Sequence, residues 1–347
     1  MADTGTGRAF VGSFTSDGGR GVTAAAVDTA TGALTVQGAA SSVPNPSFLA
    51  PAGGGLLYAV SETQDGAAAA FDITGAVPRL IGPAVRVGGD APTHLALVGG
   101  HVITANYGSG SVSVLPVRAS DGGLGAAAEV LEHRGSGPSR DRQEGPHAHQ
   151  VKQDPTGQWV LSVDLGTDSV RICALAPDTG TLRVHGETVL PPGRGPRHLA
   201  FHPAGTHAYV LNELEPTLTV CRWDGETGTL EAVGESALLP QDERAQSYGS
   251  GLVLAHDGRF IWAANRGHDS ISVIALDGSP EKPELVTTVG CGGRWPRDIA
   301  LDPGGRRLYV ANERSGDVTW FDIDSGTGVP RRAGSIEAPA ASCVVFA

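Results

Sequence analysis

Seven short apolar segments, each closing on a small polar residue, recur along this chain at near-even intervals. They are AFVGS (9–13), LYAVS (57–61), VITAN (102–106), VLSVD (160–164), YVLN (209–212), WAAN (262–265) and YVAN (309–312). Their closing residues, Ser13, Ser61, Asn106, Asp164, Asn212, Asn265 and Asn312, lie 48, 45, 58, 48, 53 and 47 residues apart. A second signature, Pro-x-x-apolar, precedes most of them: PSFLA (46–50), PTHLAL (92–97), PRHLAF (196–201) and PRDIAL (296–301). Asp-Pro-x-Gly turns at 154–157 and 302–305, and the related HPAG at 202–205, join the two segments as hairpins, and Thr-Gly pairs such as 179–180 and 227–228 mark outer turns. A unit of about fifty residues built of four short strands is the signature of a propeller blade. The sequence therefore predicts an all-β, seven-bladed β-propeller with four-stranded blades, a single domain over 1–347.

Closure follows from the ends. The first strand, AFVGS, has no inner partner before it, and APAASCVVFA (338–347) reads as the missing one. The N- and C-terminal strands are expected to share one blade, which removes the free sheet edges a ring of blades would otherwise leave open.

The 347-residue length is compatible with one such ring because each repeat extends a continuous core. A net charge of −12 argues against nucleic acid or an anionic membrane as partner, since both select basic surfaces. No apolar run approaches a membrane span, and Met1 to Arg8 lacks a leader's apolar stretch, so the expected location is the cytoplasm. Cys173, Cys221, Cys291 and Cys343 fall in different repeats without a C-x-x-C pair and are expected as reduced, buried thiols. The partner expected is a small molecule, bound by a monomer or weak homo-oligomer.

The hairpin pattern locates a site. In an antiparallel pair the start of the inner strand lies beside the end of the next, so the Pro-x-x positions and the residues after the polar markers share one rim of the central channel. His149, Arg197 and Arg297 each stand six residues before Pro155, Pro203 and Pro303, in one equivalent position. Glu62, Tyr107, Glu213, Arg266 and Glu313 follow the markers. A structural slot keeps one residue type from repeat to repeat, as the recurring Asn does, whereas these slots vary. The Asn residues read as strand-end caps, and His94 and His198, in equivalent slots of their own, suit a packed role as well as a chemical one. No phosphate loop, H-E-x-x-H or G-x-S-x-G elbow occurs.

The stretches ANYGSGSVSVLPV (105–117), GSGPSRDRQEGPHAHQV (135–151), GPRHLAFHPAGTHAYVLNEL (195–214) and ANRGHDSISV (264–273) resemble, in order and over essentially the whole chain, the lactonase family of seven-bladed propellers. That family takes in propeller-type 6-phosphogluconolactonases and carboxy-muconate lactonizing enzymes. The resemblance implies a catalytic set of His149, Arg197, Glu213 and Arg266, with His147, Arg297, Tyr107 and His94 as candidate substrate contacts; His147 is the rival to His149 as base. These residue types suit lactone opening. A His of near-neutral pKa deprotonates water, fixed guanidinium groups hold the developing oxyanion, and the guanidinium fork matches a phosphate or carboxylate. The implied substrate is a small anionic lactone, most directly 6-phosphogluconolactone, with no cofactor and no metal. A lactonizing isomerase and a non-catalytic binding propeller are the alternatives, and the loops 133–146 and 240–250 are expected to set specificity.

Overall fold

The computed structural model describes residues 7–243, 246–276 and 278–347; residues 1–6, 277 and, from the loop 240–250 expected to set specificity, 244 and 245 lie outside the described residues. Seven antiparallel sheets form a ring. Blade 1 joins Ala341–Phe346 to Gly7–Ser13, Val22–Val27 and Leu34–Ala40, so the two ends of the chain pair within one sheet as expected. Blades 3 to 7 begin at Pro92–Val98, Ala148–Gln153, Pro196–Phe201, Tyr248–Leu254 and Pro296–Leu301, each the inner strand of a four-stranded sheet. Blade 2 departs from the plan. Its inner strand is short, Leu49–Pro51, and its outer edge is split into Arg79–Leu80 and Val85–Arg86, because Gly82 and Pro83 interrupt the ladder there.

The second strand of each blade is buried on both faces, which is why the marker segments read as continuous apolar runs rather than alternating ones. Successive residues serve different neighbours. In Phe260–Arg266, Ile261 and Ala263 join Tyr209 and Leu211 of blade 5, while Phe260, Trp262 and Ala264 join Leu308 and Val310 of blade 7. The same division repeats around the ring, giving seven inter-blade cores; the one between blades 7 and 1 packs Tyr309 and Trp320 against Ala9, Val11 and Val344. Closure thus rests on both strand pairing and apolar burial.

The marker Asn side chains bridge to hydroxyls on the third strand rather than capping backbone groups as expected. Asn106 Nδ2 donates to Ser111 and Ser113, Asn212 to Thr217 and Thr219, Asn265 to Ser270 and Ser272, all at 2.8–3.1 Å. Blade 4 keeps the geometry with different chemistry: Asp164 replaces Asn, and Arg171 occupies the slot seven residues on that holds Ser or Thr in the four Asn blades, 3.1 Å from its carboxylate. The turns behave as read. Asp154 accepts the amides of Thr156 and Trp159, and Gly157 takes the left-handed conformation (φ 79°) the turn requires. Among the described residues no helix is long and apolar enough to cross a membrane.

Candidate active site

A β-bulge recurs near the start of the inner strands. Opposite the second strand, Ala148 and Gln150 pair with successive residues and His149 is left out of register; Arg197, Arg297, Thr93 and Ser342 are left out in the same way. A bulge turns the extra side chain out of the ladder, and in these five blades it directs one residue toward the channel mouth. The position after each marker supplies the second ring of side chains.

Glu213, one residue past Asn212, is the centre of the cluster. Its Oε2 lies 2.6 Å from an Arg266 NH2 and 3.2 Å from Arg197 Nε, and its Oε1 accepts from Arg142 at 2.6 Å. Burial opposes ionisation of this carboxyl, but Arg266 and Arg197 overcome it and hold its pKa far below the usual range. Arg197 is fixed further by donating to the Ser250 carbonyl, and burial together with Arg266 pulls its guanidinium down to about 9, still charged at neutral pH. Arg266 also donates to the Gly249 carbonyl at 3.3 Å. Three guanidinium groups against one carboxylate leave a local excess of two positive charges in a protein whose net charge is −12.

His149 lies beside this cluster, 5% exposed, with its Nδ1 buried and unpartnered. Burial, then the charge on Arg197, keeps its pKa well below the usual 6.5, so the imidazole is neutral. Its ring meets Tyr107 and His198 edge-on at centroid distances of 5.6 and 5.3 Å. His147 is differently placed. It stacks on Tyr107 (4.5 Å, 19°), its Nδ1 donates to the Tyr107 carbonyl at 2.9 Å, and its backbone amide donates to Asp164 Oδ1 at 2.9 Å. These bonds tie its ring to the rim. The loop that carries it passes so close to blade 4 that a Cβ on Gly166 would fall 1.9 Å from the Gly145 carbonyl oxygen.

Two expected contacts are not brought to the cluster. Arg297 is on the bulge ring, but its guanidinium is taken by Glu313 (3.2 Å) and Glu62 (3.5 Å) and lies over Phe14, so two carboxylates already neutralise it. His94 sits one residue past the bulge. Its side chain therefore points to the next layer down the channel, where its ring lies 4.0 Å from Phe48. Tyr107 stands at the mouth, its hydroxyl accepting from Arg142 at 3.2 Å. Arg142 itself was not among the sequence candidates. It comes from the loop ahead of blade 4, which is pinned by buried Gln143 bonding the Leu165 carbonyl, and its only sequence signal is a charged residue in a Gly- and Pro-flanked stretch.

The family model for the seven-bladed β-propeller lactonases matches residues 8–346. The chain is 33% identical over 345 residues to the 6-phosphogluconolactonase of Bacillus subtilis strain 168, with 97% of each chain covered. Among solved structures, the periplasmic gluconolactonase of Pseudomonas aeruginosa superposes with a TM-score of 0.92 at 29% identity, covering 99% of both chains. A protein from Lactobacillus plantarum gives the same TM-score at 28% identity, over 99% of this chain and all of that one. The chain belongs to the lactonase family of seven-bladed β-propellers.

Proposed function

We propose that this lactonase opens a sugar-acid lactone, 6-phosphogluconolactone first among them, at the Glu213 cluster. One observation carries the reading: a neutral, buried imidazole with a free nitrogen stands beside a cluster holding more guanidinium than carboxylate. His149 takes a proton from water as the oxygen adds to the lactone carbonyl. The resulting oxyanion is stabilised by Arg197 and Arg266, whose orientation Glu213 fixes. The tetrahedral species then collapses, the ring C–O bond breaks, and the His149 imidazolium returns its proton to the departing ring oxygen. The products are the open carboxylic acid and a regenerated base. Arg142, with 37% of its side chain exposed, is the outward member of the cluster and the first to meet an entering phosphate.

The B. subtilis relative supports a phosphorylated substrate, and the P. aeruginosa relative supports a sugar lactone without phosphate. The four buried free cysteines support a reducing, cytoplasmic setting. The test is to follow disappearance of 6-phosphogluconolactone and of gluconolactone, each corrected for uncatalysed opening. A charge-assisted contact to the phosphate should raise kcat/KM for the phosphorylated lactone about ten- to a hundredfold. Equal values would remove phosphate recognition from the proposal, and no acceleration of either would remove lactone opening.

A further inference from the structure

The inner strands run from the catalytic mouth down to the Asp-Pro turns, and a separate cavity of about 730 Å³ opens at that lower end. Its roof is the layer just below the bulges, Phe48, His94, Gln150, His198 and Asp298, and none of the four catalytic candidates lines it. Its wall contains an anomaly. Two residues farther along the inner strands, the equivalent position is alanine in four blades and valine in two, but blade 4 places Lys152 there. Lysine is otherwise used once in the chain, at Lys282, against 23 arginines. The Lys152 ammonium makes no hydrogen bond or ion pair with any described residue, and burial lowers its pKa. Lys152 is half-buried, its ammonium reaches the open cavity, and an anion entering there would gain a charge-assisted contact that no protein carboxylate takes.

The neighbouring polar groups are donors. Arg197 NH1 can only donate to His198 Nε2 (3.3 Å), which leaves the His198 proton on Nδ1. Gln150 accepts the Leu199 amide through Oε1, which leaves its NH2 free to donate. His94 is 8% exposed and makes no side-chain hydrogen bond, with Nδ1 buried and unpartnered. Two carboxyls line the cavity: Asp298 accepts the amides of Ile299 and Val344, and burial pushes its pKa up to about 6, while Asp302, at the turn below, accepts the amides of Arg306 and Arg307.

We propose that this lower end of the channel is a second ligand site, which takes a small hydroxylated oxyanion of sugar-acid size, its negative group on Lys152 and its hydroxyls on His198, His94 and Gln150. The volume lies in the range of small-molecule pockets. The site is physically joined to the catalytic layer, because His198 contacts Arg197 and meets the His149 ring at 5.3 Å.

Calorimetric titration with gluconate and with inorganic phosphate tests the proposal. Arg266→Met should keep a binding event that Lys152→Met weakens about ten- to a hundredfold, as loss of a charge-assisted contact predicts. Lys152→Met should hydrolyse lactone within about twofold of wild type, which separates this site from the one at Glu213. Preference for gluconate or for phosphate identifies the oxyanion. Binding of both probes that Lys152→Met leaves unchanged, or that Arg266→Met abolishes completely, overturns the proposal. Should Lys152→Met fold poorly, a wild-type crystal soaked in gluconate and in phosphate decides: an oxyanion about 3 Å from Lys152 Nζ supports the site, and density confined to the catalytic mouth refutes it.

Discussion

Replacing Glu213 by Gln keeps the shape of the side chain and removes the charge that three arginines share. In the folded protein Arg197 and Arg266, both nearly buried, are then left 3.2 and 2.6 Å from a neutral amide and repel each other. Removing one partner of a buried ion pair costs about 3–5 kcal/mol. The Arg142 contact adds little, because its guanidinium keeps access to water. With an unfolding entropy of about 2.1 cal/mol/K per residue, a chain of this length loses about 1.4 °C of Tm per kcal/mol, so Glu213→Gln should melt about 4–7 °C lower. Adding Arg266→Met should restore at least half of that loss, because the second change removes the charge the first left unpaired. In steady-state assays kcat should fall about a hundredfold through displaced arginines. Inhibition by inorganic phosphate should tighten at the same time, because the competing carboxylate is gone. A variant that melts with wild type, or a double variant whose losses simply add, would refute the idea that Glu213 organises these arginines.

His149→Ala should lower kcat by about 10² to 10⁴, and His147→Ala by less than about tenfold, measured on the same lactone. Because burial depresses the His149 pKa, the base form persists as the pH falls, so the acid limb of the rate profile should lie well below pH 6.5 and vanish in His149→Ala; a limb at or above 6.5 contradicts the buried, neutral imidazole. Arg197→Lys keeps charge but loses the fork that reaches Glu213 and the Ser250 carbonyl together, and activity should drop about ten- to a hundredfold; unchanged kinetics would exclude a two-point role. Deleting residues 339–347 unpairs the edge of Gly7–Ser13 and opens the core between blades 7 and 1, so the truncated chain should aggregate during purification, and a soluble product with wild-type Tm would show that closure contributes nothing.

The blade plan was legible because the pattern carrying it is local: continuous apolar runs on the second strands, Pro-x-x starts on the first, and Asp or Asn at the turns all follow from which faces are buried. The candidate site layer was partly legible for the same reason, since His149, Arg197 and Arg297 share a position that can be counted from their turns. What counting cannot supply is the bulge. It separates His149 and Arg197 from His94 and His198 by a single residue and sends the two sets to successive layers of the channel, so His94 lies one layer below the mouth. Arg297, Glu62 and Glu313 were all read onto the rim, but counting positions could not show that Arg297 pairs with those two carboxylates and not with Glu213. Arg142 escaped altogether, since a loop residue has no periodicity to betray its direction.

The bulge also makes the mouth adjustable. Each out-of-register residue faces the channel while its strand neighbours carry the inter-blade cores, so its identity is uncoupled from the packing that keeps the ring closed. Thr93 and Ser342 occupy such positions without any charge. Ser47 stands at the equivalent place in blade 2, two residues before Leu49 as Thr93 is before Leu95. A change of side chain there would alter what the mouth holds while giving up the bonds Thr93 makes to the His149 carbonyl and Ser47 makes to Glu62. Natural divergence within this architecture has the same freedom: one substitution at a bulge changes what the mouth holds, and the inter-blade cores on either side remain as they were.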